Sequence, residues 1–448
     1  MSARNLQATT RGVAGIELRR TGAWSVAASL TVIGAVLIAA SQPPLSQYGN
    51  WSSSWAAAME RLSTLGLVLG PLAGAAAAWV GGREGRRQLG ELLASTPRPA
   101  LTRRTTTWAA LTAGLLLGTA AAAGLLFAGI APTVSYSGGR WPASLLLALL
   151  GIVVCASLGF AAGHLVPGRF TAPAVAVLIY LTSGVASYLG PSWGGFIPLL
   201  PVAQLPSSEG RELIDWVTAV ATVWFLALTA AGLLLAGARL RTTAAIPALV
   251  ALLAAVPLAA ASPDDGAYVS PWTQADPRAL QPVCTPDVPQ VCVAQVHAGL
   301  LDDVAPVARD LLANVQTYLP LDRAVEIAAG QSAPPGALAI GSLEGRSRFL
   351  RPGLAHPERV VEDAVFRLTM PQCPGQELNG PDQRPYVSMG AAQFLLSGGT
   401  VQPSTDPAIE ALHTRLTADP DQAHTWINDF MPAAAGCDVE TLARLAQP

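Results

Sequence analysis

The chain has 448 residues, 51% of them hydrophobic and 12% charged, with a net charge of −2. None of its 27 basic residues is a lysine, which excludes a nucleotide-binding loop whose lysine reaches the phosphates, and a Schiff-base enzyme. Residues 1–261 hold 16 arginines against 7 acids, and residues 262–448 hold 11 against 22, so an apolar basic region precedes an acidic domain of its own.

Residues 1–22 read as a cytoplasmic amphipathic segment. Apolar runs long enough to span a bilayer follow near 23–41, 62–80, 107–130, 143–165, 171–188, 215–237 and 243–261. The connectors between them alternate in arginine. The N-terminal tail and every second connector together hold 13, and the opposite side holds Arg61, Arg140 and Arg211. Arginine excess marks the cytoplasm, so the N-terminus is expected inside. Seven spans then place everything after residue 262 outside. No Asp, Glu or Arg falls near mid-span, which argues against an ion-driven carrier. His164 at the end of the fourth run reads as interfacial packing.

Small residues recur every fourth position in three runs: Gly66, Gly70, Gly74 and Ala78; Gly114, Gly118 and Ala122; Gly151, Cys155, Gly159 and Gly163. Such ladders let helices approach closely in lipid, where burial in itself supplies little drive. Spacing leaves open whether the contacts lie within one chain or between two.

The connector before the third run, 82–97, carries the functional signal. Leu89, Leu92 and Leu93 share one helical face, Arg83, Arg86 and Arg87 lie around the rest, and Arg87 can pair with Glu91. A short surface helix over 83–94 is predicted, ended by Ser95-Thr96-Pro97. A basic amphipathic helix of this kind can simply rest on anionic lipid. The segment also resembles the signature connector of ABC-2 type exporter permeases, at Glu84, Arg87, Leu89, Glu91, Leu92, Leu93, Ala94 and Pro97. Glu17-Leu18-Arg19-Arg20 is similar to that family's N-terminal amphipathic helix. The resemblance covers roughly residues 10–240, and Gly90 departs from it. It implies a six-span permease domain over 23–241 and a coupling helix, comprising Arg83, Glu84, Arg86, Arg87, Leu89, Glu91, Leu92 and Leu93, that docks on a separate ATP-binding subunit. ATP and magnesium are then bound by the partner, with no cofactor in this chain. It further implies a homodimer or heterodimer of permease subunits. The run at 242–261 is an added seventh helix.

The connector 189–213 is apolar, with Trp193, Phe196, Ile197, Leu199 and Leu200, and is interrupted by prolines at 191, 198, 201 and 206. It reads either as a re-entrant element facing the exit, as in exporters of that family, or as a loop anchored in the headgroups. After a linker, 262–282, the domain 283–448 reads as mainly α. Helices are predicted near 296–318, 357–370, 386–397, 405–418 and 421–434, with a strand near 337–341. Its four cysteines read as disulfides Cys284–Cys292 and Cys373–Cys437. His297, His356, His413 and His424 have no metal-ligand spacing, and Gly330-Gln331-Ser332-Ala333-Pro334 lacks the last glycine of a nucleophile elbow. No active site, metal site or nucleic-acid partner is expected.

The fold class expected is an α-helical polytopic membrane protein: a six-span ABC-2-like bundle, a seventh span, and a mainly α, disulfide-containing extracytoplasmic domain. The function expected is the permease subunit of an ATP-driven exporter in a bacterial plasma membrane. A membrane-anchored extracytoplasmic receptor or scaffold is the alternative.

Overall fold

A computed structural model of the chain describes residues 15–41, 54–88, 99–188, 197–202, 210–238, 241–260, 272–327, 333–348, 350–351, 353–370, 384–398 and 406–447. They form two compact units, the first running to residue 277 and the second mainly from residue 278 onward.

The helices of the first unit are α1 Ala23–Ala40, α2 Trp55–Gly81, α3 Arg83–Arg86, α4 Ala100–Ile130, α5 Trp141–Leu165, α6 Thr171–Tyr188, α7 Asp215–Gly237 and α8 Ala245–Ala260. Each predicted apolar run is helical. Among the described residues, six helices are long and apolar enough to cross a membrane: α1, α2, α4, α5, α7 and α8. The apolar part of α6, Thr171–Val185, is shorter than these. One helix outruns its apolar core. α4, with 31 residues, rises roughly 46 Å at ~1.5 Å per residue, against a hydrocarbon core of ~30 Å. Its first two turns therefore carry Arg103 and Arg104 beyond the apolar zone. Large side chains such as Val32, Leu117, Leu146, Leu178, Leu226 and Leu253 are exposed on the helices. Apolar faces on that scale suit lipid rather than water.

The ladders make two kinds of contact with other parts of the chain. A Cβ on Gly159 would overlap the backbone of Gly74, and one on Gly163 the backbone of Ala78, so α5 lies directly against α2. Gly114 and Gly118 abut Ala23 and Ala27 in the same way, which sets α4 against α1. The outer rungs differ. Gly70 faces Val202 and Gly151 faces the backbone of Pro201, with Gly66 in ordinary contact with Val202. They receive a loop, not a helix. Ile197–Leu199 form one 3-10 turn, Leu199 and Val202 are buried, and Trp224 donates its indole N–H to the Leu199 carbonyl at 2.8 Å. Residues 197–202 thus pack against the helices of the bundle. Trp193 and Phe196 lie outside the described residues.

A two-stranded antiparallel ribbon closes this end. β1 Arg211–Leu213 pairs with β2 Thr273–Ala275, with Glu212 opposite Gln274. Arg211 donates to the hydroxyl and the carbonyl of Thr273, at 2.9 and 2.7 Å. Residues 273–275 fall inside the predicted linker, and the pairing corrects it: the first unit continues to residue 277. Trp272, 1% exposed, packs with Leu199, Val217 and Leu258, so burial of a large aromatic holds the ribbon in place.

The second unit departs from the mainly α expectation. Its helices stand close to where the 3.6-residue period places them: α9 Leu301–Gln316, α10 Glu358–Thr369, α11 Arg384–Leu396, α12 Pro407–Ala418 and α13 Pro420–Ala435, followed by α14 Val439–Leu445. A four-stranded sheet accompanies them, β3 Pro282–Cys284, β4 Gln290–Ala294, β5 Arg323–Glu326 and β6 Ala337–Ile340, in that order. β3 is antiparallel to β4, while β4, β5 and β6 run parallel. The unit is mixed α/β. β4 and β6 are short, mostly buried apolar runs without the alternation that marks a half-exposed strand. α9 also starts later than predicted, after the 3-10 turn Gln295–Leu300.

Cys284 and Cys292 face each other across β3 and β4 with their Cα atoms 4.0 Å apart, and they are disulfide-bonded. Cys437 is disulfide-bonded too; Cys373, its expected partner, lies outside the described residues. Cys155 is free and buried. Closing an eight-residue separation constrains the unfolded chain by about 2–3 kcal/mol. The double change Cys284→Ala, Cys292→Ala should therefore destabilise the second unit by that amount. Hydrogen exchange at the β3 and β4 amides of the full chain measures it, and unchanged protection would show that the hairpin holds without the bond.

Candidate functional site: the arginine-rich end of the helical unit

Three chain segments converge at one end of the first unit. Residues 15–21 are helical and stop at Gly22, whose φ of 71° turns the chain into α1. Glycine adopts that left-handed conformation without steric cost. α3 follows α2 after a single turn residue, Gly82, and the third segment is the N-terminal part of α4.

Glu84 joins two of the three. Its carboxylate accepts from Arg103 Nε at 3.3 Å and from Arg104 Nε at 3.5 Å. All three side chains are more than two-thirds buried, so one acid partly neutralises two arginines where solvent screening is reduced. Arg104 also donates to the Ala236 carbonyl at 2.6 Å. That carbonyl lies in the last turn of α7, where carbonyls lack helical partners and the dipole favours a cation. Arg86 does the same for α2. It donates to the Trp79 carbonyl and lies over the Trp79 ring, 4.1 Å from its centre. Arg83 donates to the Arg20 carbonyl at 2.9 Å. Burial, then the neighbouring Arg20, lower the Arg83 pKa. Glu17 accepts from Thr107 at 3.4 Å and pairs with Arg20 at 3.8 Å.

This arrangement corrects the predicted surface helix in one respect. A helix begins at Arg83 as expected, but it ends at Arg86, and Gln88 has a φ of 53°. A left-handed residue breaks the ladder of i to i−4 hydrogen bonds. The described helical geometry thus stops before Leu89, where the predicted apolar stripe begins. Leu89, Glu91, Leu92 and Leu93 lie outside the described residues. Arg83, Glu84 and Arg86 are spent on holding the segment to the bundle, whereas Arg87 is exposed. Sequence spacing did not reveal the Arg103 and Arg104 partners, because they belong to the following helix.

A second polar centre lies in the other unit, at the carboxyl ends of the parallel strands. Glu326 ends β5 with its side chain 4% exposed, and His297 Nδ1 is 2.7 Å from its Oε1. The same carboxylate accepts the backbone N–H groups of Ala294 and Leu343, each at 2.9 Å. Burial raises the Glu326 pKa, but the His297 charge and these hydrogen bonds outweigh it and leave the group below its ordinary value. The other histidines stand apart. His356 pairs with Glu358 at 2.9 Å, His413 meets the edge of Phe394, and His424 packs on Tyr318. Among the described residues no cluster of three or more His, Cys, Asp or Glu could hold a metal ion.

No family model matches the chain, and neither a curated protein nor a solved structure matches it.

Proposed function

We propose that this chain is the membrane-spanning permease subunit of an ATP-driven export complex of the ABC-2 type. In this reading the arginine-rich end faces the cytoplasm of a bacterial plasma membrane and docks on a separate ATP-binding subunit, and, with α6 counted as a seventh span, the acidic second unit lies outside. One observation supports it most. The connector that resembles the family's coupling element is tied by Glu84 to α4, by Arg86 to the end of α2 and by Arg83 to the segment before α1. A force applied there is passed to three helices together, as a coupling element requires. Arg87, exposed beside them, is the contact available to a partner.

Tagged full chain purified from its own membranes in mild detergent should carry a nucleotide-binding subunit in near-equal amount. Arg87→Glu should lower that ratio about tenfold, since like charges at a contact rim repel, and leave the yield of inserted protein unchanged. If the segment only rests on lipid, the ratio stays at the wild-type level. If wild-type chain carries no nucleotide-binding subunit, the reading falls and the membrane-anchored scaffold takes its place.

A further inference from the structure

The first unit contains an apolar cavity between α2, α4, α5, α7 and the turn at 198–202. Its empty volume is about 730 Å³, part of it open to solvent. Leu62, Leu69, Leu147, Ile152, Val202 and Phe225 line it, and no charged side chain does. Thr119 also lines it. This residue is 3% exposed, and its hydroxyl has no hydrogen-bond partner.

Thr112 in the same helix and Thr229 in α7 also lack partners, but of the three only Thr119 lines the cavity. Thr31, Ser157, Thr182, Thr218 and Thr222 all donate to the carbonyl four residues back. In an apolar setting such back-bonding is the default for threonine. A buried hydroxyl without a partner loses its hydration for nothing, unless something else supplies an acceptor. Water has few partners here: an ordered water needs two or more, and besides Thr119 the hydroxyl residues on the lining are Ser144 and Ser63, the latter already donating to the Glu60 carbonyl. The chemistry that fits is a hydrocarbon chain carrying one oxygen acceptor. Small-molecule sites have this make-up, mostly apolar walls with a few polar groups that fix orientation.

We propose that this cavity binds a single-chain amphiphile, with its chain against the leucine, isoleucine, valine and phenylalanine walls and a carbonyl oxygen accepting from Thr119 Oγ1. The role of the site as a cargo site rests on the export reading; its occupancy does not.

The test uses the full chain in phospholipid nanodiscs, with no ATPase present, and a monoacylglycerol bearing a diazirine on its chain. Irradiation should label Leu69 and Ile152 in preference to Leu178 and Leu252, which are exposed on the helices. Excess unlabelled monoacylglycerol should remove the preference, and raising the disc phospholipid should not. Thr119→Val keeps the shape and removes the donor. It should raise the thermal midpoint of the unliganded chain and weaken monoacylglycerol binding about fivefold, the worth of one ordinary hydrogen bond. Ala148→Phe fills the cavity and should abolish labelling there. Equal labelling inside and outside, equal competition by the disc phospholipid, or unchanged affinity of Thr119→Val would each overturn the proposal. Because no ATPase is present, a failed pull-down and a failed labelling experiment point to different errors.

Discussion

Replacing Glu326 by alanine should destabilise the second unit by about 3–5 kcal/mol, the usual cost of breaking a buried ion pair from one side. The loss has three sources. The His297 ring is left without its carboxylate, and the N–H groups of Ala294 and Leu343 lose their acceptor. Those groups belong to the end of β4 and the segment after β6, so one side chain ties three strand ends together. Glu326→Gln keeps the shape but turns one acceptor atom into a donor facing an N–H, and should cost a large part of the same amount. The effect depends on pH in a definite direction. The carboxyl of folded Glu326 lies below its ordinary value of 4.5, so its contribution is complete above about that pH and fades as the pH falls through the lower, folded value. The difference between wild type and Glu326→Gln should therefore be largest near neutrality and shrink in acid. Hydrogen exchange of the β5 and β6 amides in the full chain reads this out locally. Equal protection in wild type and Glu326→Ala would mean that the pair contributes nothing.

Gly159→Leu should destabilise the helical unit strongly, by about 3 kcal/mol. Even one Cβ there overlaps the Gly74 backbone. A leucine must push α5 away from α2 along the whole contact, including Gly163 against Ala78. Polar rescue is absent, since packing is what holds such helices together in lipid. Gly124→Leu is the control. It sits in α4 with nothing within 4 Å of an added Cβ and should change stability by less than about 0.5 kcal/mol. Thermal unfolding of both variants in the same detergent compares them. Similar midpoints would show that α2 and α5 tolerate separation.

The helices of both units were legible because a helix needs only its own neighbours. The α10 helix, predicted over 357–370, spans Glu358–Thr369, and α13, predicted over 421–434, spans Pro420–Ala435. Of the four strands of the sheet, β5 was not read. β5 is four residues long, and its partners β4 and β6 lie elsewhere in the chain, so nothing within it signals a strand. The hairpin of β3 and β4 was visible as a turn-rich segment, 285–289, between two short β-type runs that carry Cys284 and Cys292.

At the candidate site the concentration of arginine was visible in composition. The division of labour among the arginines was not. Arg104 acts on a carbonyl 132 residues away, and Glu84 acts on the following helix, 19 and 20 residues on. Continuity of the helix beyond Arg86 was predicted from the shared face of Leu89, Leu92 and Leu93, and the left-handed Gln88 precedes that stripe.

The sequence alone determined the quantities that sum over near neighbours: which segments are apolar for the length of a bilayer, which connectors carry charge, where helical period begins and ends, and which glycines share a face. Tertiary structure decided what each face meets. The same four-residue ladder accepts a helix at Gly159 and a loop at Gly151, because shape complementarity between distant segments, and not spacing, selects the partner.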